Sequence, residues 1–164
     1  MSAKYKKNQK QIYLKAYKNL TQLENALKKL KEEKASHFQV SILGKVSQFY
    51  NDKAIESSKD NDIIKSYWQN LLGKTVKFGS FYNSESRNVF ITGALATTFL
   101  HKINGKSLAT LSSGSYGIFR GIGVSEAQTT LYLKLLNSGN YLLILRGYDN
   151  EIPSLDTLPN KPIS

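Results

Sequence analysis

The sequence predicts an α+β fold, because strand and helix patterns follow one another at both ends of the chain. Residues 11–43 have the pattern of a strand, a helix and a strand, and residues 125–145 have that of a helix and a strand. The chain has 164 residues and no cysteine. This length allows a hydrophobic core without disulfides or thiolate-bound metal ions. We therefore expect one domain over residues 11–152.

The first unit begins with a half-buried strand. Three apolar residues alternate along it with two tyrosines and a lysine: Ile12, Leu14 and Ala16 against Tyr13, Lys15 and Tyr17. A helix is predicted from Thr21, with Glu24 at the capping-box position and leucines at helical spacing. Alternating apolar residues in 37–43 then predict a second strand that ends at Gly44.

The middle of the chain contains a further helix and two segments of strand length. Asp62 is the predicted cap of a helix over residues 63–72, which contains the single tryptophan. Residues 76–82 and 88–92 flank a polar tract, and they form either paired strands or two bends.

Residues 88–123 are rich in small residues, which permit close backbone approach. Two charge-free runs in this segment surround a basic turn with Asn104-Gly105 at its centre. The pattern predicts a helical hairpin inserted in the middle of the domain. A Gly/Ser loop is an equal alternative for residues 112–117, because helix propensity there is low.

The last unit has the clearest helix signals of the chain. Ser125 and Gln128 form a capping box, and Gly139 is placed for a left-handed helix end. Residues 141–145 are an unbroken apolar run of strand length. Such a run is typical of a central strand or of one that is covered on both faces.

The two chain ends differ from the domain in composition. Residues 1–10 are polar and lysine-rich, which predicts a disordered basic arm. Residues 153–164 contain all three prolines and form a predicted C-terminal tail. No apolar stretch is long enough for a signal peptide or a membrane span, so a cytoplasmic location is expected.

The positive charge is concentrated in the N-terminal third. The formal net charge is +11, and residues 1–53 hold 12 lysines and 4 acidic residues, or +8. This bias indicates contact with a polyanion, either nucleic acid or an anionic membrane surface, although a solvated lysine-rich surface is the simpler alternative. The candidate contact residues are Lys4, Lys6, Lys7, Lys10, Lys15, Tyr13 and Tyr17.

The residue types that carry chemistry are scattered. His37 and His101 lie on different predicted elements, the acidic residues do not cluster, and no nucleophile or phosphate-loop motif occurs. We therefore predict no enzymatic activity, no cofactor, no metal ion and no small-molecule substrate.

Three functions remain compatible with the sequence. The first is a structural or interaction module that self-associates into a homo-oligomer through the small-residue segment, with candidate contacts at Gly93, Leu95, Phe99, Gly114, Gly117 and Gly121. The second is a single-stranded nucleic-acid-binding protein that stacks bases on sheet aromatics in residues 11–14 and 77–82. The third is a peripheral membrane-surface protein that uses the small-residue hairpin and the basic arm.

Residues 78–152 resemble a glycine-zipper, general-stress family of unknown function found in bacteria. FGSFYNSESRNVFITGAL stands where that family has a Gly-rich hydrophobic segment, and GIGVSEAQTTLYLKLLNSGNYLLILRG stands where it has a turn, a helix and a closing strand. Val124 replaces a usual proline, and the hairpin is more polar than in the family. The resemblance implies a ferredoxin-like antiparallel sheet with the helices that begin at residues 21 and 125 on one face, and it supplies no active site.

Overall fold

The structure is a computed structural model that describes residues 10–32, 38–56, 61–111 and 113–148. The predicted basic arm, apart from Lys10, and the predicted C-terminal tail lie outside these residues. The described elements, in chain order, are β1 (Gln11–Tyr17), α1 (Leu20–Glu32), β2 (Gln39–Lys45), α2 (Val46–Lys53), α3 (Asp62–Leu72), β3 (Phe78–Asn83), β4 (Arg87–Gly93), α4 (Ala96–Leu100), β5 (Lys102–Ile103), β6 (Lys106–Ser107), a 3-10 turn (Leu108–Thr110), α5 (Gly114–Gly121), α6 (Glu126–Asn137) and β7 (Tyr141–Gly147).

Five of the strands form one antiparallel sheet in the order β1-β7-β2-β4-β3. Tyr13 lies opposite Leu145, and Ser41 lies opposite Ile144, so β7 separates β1 from β2. β3 and β4 form a hairpin at the other side of the sheet. The predicted α+β class with an antiparallel sheet is therefore confirmed, and strands from the two ends of the chain are neighbours.

The prediction that the helices cover one face is wrong, because the sheet has a hydrophobic core on each face. Tyr141, Leu143 and Leu145 of β7 belong to the core beneath α1, α2 and α3. Leu142 and Ile144 belong to the core beneath α4, α5 and α6. The unbroken apolar run of β7 is thus explained by burial on both of its faces.

The two covering layers require crossover connections of opposite hand. β1 to β2 and β4 to β7 each connect parallel strands across one intervening strand, and they run in opposite directions along the sheet. Two such crossovers of equal hand would place their helices on the same face. The helices of the two crossovers lie on opposite faces. One of the two crossovers is therefore left-handed, although connections between parallel strands are usually right-handed.

The small-residue segment does not form the predicted helical hairpin. Its first part is β4, which lies inside the sheet between β2 and β3. The predicted turn is confirmed within the short β5-β6 hairpin, where Asn104 and Gly105 have φ values of 52° and 82°. Two positive φ values in succession are typical of a tight hairpin turn. Near its end, the segment forms a helix from Gly114 to Gly121.

Two of the three predicted helix caps differ from the structure. The Ser125 hydroxyl accepts a hydrogen bond from the Gln128 amide at 3.2 Å, as predicted. The helix expected from Thr21 begins one residue earlier, where the Asn19 side chain accepts from the Gln22 amide at 3.0 Å. Asp62 is the first residue of α3 and not its cap. Asn19 is equally able to cap, so composition alone did not distinguish the two positions.

Candidate functional site

An open groove of about 820 Å³ lies at one end of the sheet. It lies where α1 and α3 end and β2 begins. Two lysines, Lys31 and Lys77, are the charged residues among its described lining. The large apolar side chains that line it come from four segments: Leu27, Leu30, Phe38, Val40, Leu72 and Val76.

Local sequence accounts for the shape of this groove. Leu27 and Leu30 belong to the apolar stripe of α1, and both are buried against the sheet. Gly93, at the end of β4, has φ +104°, and a Cβ atom there would lie 2.1 Å from the Val40 carbonyl oxygen. The missing side chain lets β4 turn closely around β2, and the Ala94 amide donates to the same carbonyl at 3.1 Å. Gly93 therefore forms the base of the groove.

The lysines give the groove a positive potential. Lys77 Nζ donates a hydrogen bond to Thr97 Oγ1 at 3.1 Å, which holds the ammonium group beside the apolar lining. Lys31 is exposed in the last turn of α1. The described lining contains no Asp or Glu. A concave apolar surface with two ammonium groups suits a ligand that is both apolar and acidic.

The structure does not place the predicted polyanion contacts on one open surface. Tyr17 is fully buried, and Lys15 is 4 % exposed with its Nζ 5.8 Å from the Tyr17 ring centroid. Tyr13 packs against the same core. The prediction that Tyr17 and Lys15 contact a polyanion is wrong, because both are buried on the face of the sheet that α1 covers. Lys10 is exposed, and the remaining three lie outside the described residues: Lys4, Lys6 and Lys7.

Most of the predicted self-association residues make contacts within the chain. Leu95 and Phe99 are buried, and Phe99 lies 6.0 Å from Phe81 and 6.1 Å from Phe119 between ring centroids. A Cβ at Gly114 would lie 2.1 Å from the Leu108 carbonyl oxygen, so this glycine permits close packing of α5 on the 3-10 turn.

Gly93 is likewise buried by β2, so four of the six residues are wrong as surface contacts. The exceptions are Gly117 and Gly121, which are exposed and have open space where a Cβ would lie.

A second cavity, of about 530 Å³, lies between the β3-β4 turn, α5 and the end of α6. Three of its polar side chains bond one another: Ser86 Oγ donates to Asn137 Oδ1, and Asn137 Nδ2 donates to Glu85 Oε2 at 3.2 Å. This network ties the turn to α6. The groove, in contrast, presents apolar carbon and ammonium groups to a ligand, and it is the better candidate site.

The clearest pKa shifts belong to tyrosines of the two cores and not to the groove. Burial raises the pKa of Tyr17, Tyr67, Tyr132 and Tyr141 above its usual value. For Tyr141, the hydrogen bond that its hydroxyl donates to Asp52 Oδ2 at 2.8 Å raises the pKa further. These hydroxyls stay neutral at physiological pH and contribute to packing.

Sequence reasoning did not identify the groove, because its large apolar side chains come from four segments that are separate in the chain. Phe38, Leu72 and Val76 each read as the last or first apolar residue of a strand or helix. The available signal was that Lys31 directly follows Leu30, the last leucine of the first predicted helix, and that Lys77 directly follows Val76.

Comparison of the chain with protein-family models, with curated proteins and with solved structures finds no match. The resemblance to the glycine-zipper family therefore stays a prediction. Within the described ranges, no helix combines the length and the apolar character needed to cross a membrane.

Proposed function

We propose that the chain is an interaction module whose groove binds an acidic, partly apolar peptide segment. The observation that carries this proposal is the pairing of an apolar lining with Lys31 and Lys77 in one open groove. The apolar lining supplies affinity by removing carbon surface from water. The two ammonium groups supply orientation and select against basic ligands.

The openness of the groove supports a peptide over a small amphiphile. Sites for small molecules bury most of the ligand surface in a closed cavity, whereas this groove is open to solvent. An extended or helical peptide can lay one apolar side on the lining and leave its other side in water. A cytoplasmic location and a role in general stress remain part of this proposal, as does self-association at Gly117 and Gly121.

Reversal of the two groove lysines tests the proposal. We expect the Lys31→Glu, Lys77→Glu double variant to bind a labelled ten-residue peptide of alternating Asp and Leu about tenfold or more weakly than the unmodified chain. Fluorescence anisotropy measures the affinity, and the difference is expected to decrease at high salt. A peptide with Lys in place of Asp is expected not to bind.

The matched control carries the same change in net charge outside the groove. Lys65→Glu with Lys134→Glu reverses two exposed lysines of α3 and α6 that do not line it. This control is expected to bind the acidic peptide nearly as the unmodified chain does. Equal weakening in both double variants would contradict the proposal.

A further inference from the structure

The segment that follows the last described strand has the composition that the groove fits. Residues 149–158 read DNEIPSLDTL and contain three acidic residues and no Lys or Arg, in a chain whose formal net charge is +11. Three apolar residues recur in it at every third position: Ile152, Leu155 and Leu158. Acidic and apolar residues therefore occur together in one short segment, which is the composition expected of a ligand for the groove.

The topology places the start of this segment beside the groove. Arg146 of β7 lies opposite Gln39 of β2, and Gln39 lines the groove together with its neighbours Phe38 and Val40. Because the two strands are antiparallel, the chain leaves the sheet at Tyr148 on the side where β2 begins. Ten extended residues span up to about 33 Å, which is ample to follow a groove of this size.

We propose that residues 149–158 bind in the groove of their own chain. The inference rests on the proposed function, and it assigns a first occupant to that site. Asp149, Glu151 and Asp156 complement Lys31 and Lys77 in charge, and the three apolar side chains complement the apolar lining.

Attachment to β7 strengthens such binding, because a short linker gives an effective concentration on the order of millimolar. Pro153 also restricts the free segment, which lowers the conformational entropy lost on binding. The consequence is regulation by competition. A partner peptide must displace the chain's own segment, so neutralising or removing its acidic groups opens the groove.

The test uses the full chain and a fluorescent peptide of residues 148–158 as the probe. One variant carries Asp149→Asn, Glu151→Gln and Asp156→Asn, which weakens the attached segment. We expect this variant to bind the probe at least tenfold more tightly than the unmodified chain does.

The matched control carries the same loss of three acidic charges at exposed positions outside the groove: Glu56→Gln, Asp62→Asn and Glu126→Gln. It is expected to bind the probe as weakly as the unmodified chain. Adding Lys31→Glu and Lys77→Glu to the segment variant is expected to abolish its increased affinity for the probe.

The outcomes separate the inference from the proposed function. Equal probe binding by the unmodified chain and the segment variant would overturn occupation by the segment and leave the groove as a peptide site. No binding by either would overturn both. A dimer that dissociates in the segment variant, measured by light scattering, would overturn the same-chain assignment because the segment would then occupy a second copy.

Discussion

Gly93→Ala is expected to destabilise the fold by about 4 kcal/mol or more, which is a large fraction of the stability of a typical domain. Two effects add. The backbone at this residue has φ +104°, a conformation that a residue with a side chain adopts only with strain. The new Cβ would also lie 2.1 Å from the Val40 carbonyl oxygen, and this neighbour is backbone that a rotamer change cannot move.

Gly117→Ala is the matched control for this prediction. Gly117 lies in α5 without a positive φ, and a Cβ there meets nothing within 4 Å. The higher helix propensity of alanine is expected to stabilise the chain by about 0.5–1 kcal/mol. Urea unfolding followed by the fluorescence of Trp68 measures both variants.

The comparison also distinguishes the two roles considered for Gly93. If Gly93 contacted a second copy of the chain, alanine would change the state of assembly and leave the stability of the monomer intact. If it permits the close approach of β4 to β2, alanine lowers the unfolding midpoint at every protein concentration. A Gly93→Ala chain as stable as the unmodified one would contradict the packing described for the groove.

Raising the pH from 10 to 11 is expected to remove about 3 kcal/mol or more of folding stability. The pKa of four tyrosines is raised in the folded chain: Tyr17, Tyr67, Tyr132 and Tyr141. Above pH 10 the unfolded chain releases their protons and the folded chain retains them, so stability is complete below pH 10 and falls as the pH rises. Unfolded tyrosine is already half ionised at pH 10, so each buried hydroxyl that keeps its proton contributes about 1 kcal/mol over this interval.

Tyr17→Phe isolates one of these contributions. The Tyr17 hydroxyl is buried and has no hydrogen-bond partner among the described residues. Its removal is expected to leave stability at pH 7 unchanged or slightly increased, and to reduce the alkaline slope by about a quarter. Tyr82→Phe, which removes a hydroxyl from a residue that is 48 % exposed, is the matched control. A chain that unfolds no more readily at pH 11 than at pH 9 would contradict the burial of these hydroxyls.

Local signals in the sequence predicted individual elements well. The Ser125 cap and Gly139, which has φ +101°, mark the two ends of α6 because short-range hydrogen bonding and backbone conformation determine both. The apolar run of β7 predicted a buried strand for a similar reason. None of these features depends on a distant part of the chain.

Long-range placement was beyond the same reasoning. Alternation along β1 separates two faces, but it does not show that α1 covers the face of Tyr13, Lys15 and Tyr17. The small residues of 93–121 indicate close backbone approach, and the structure shows that approach at Gly93 and Gly114. Whether the approaching backbone belonged to the same chain or to a second copy depends on topology.

The central claim is that residues 149–158 occupy the groove of their own chain, and a nitroxide on this segment tests it most directly. The chain has no cysteine, so Ser154→Cys provides a single attachment site. Paramagnetic broadening is then measured at leucine methyl groups, with the labelled chain diluted into an excess of unlabelled, isotopically silent protein. We predict strong broadening at Leu27, Leu30 and Leu72, and none at the exposed Leu131. Methyl resonances of Leu27, Leu30 and Leu72 that stay as sharp as in the chain without the nitroxide would contradict the claim.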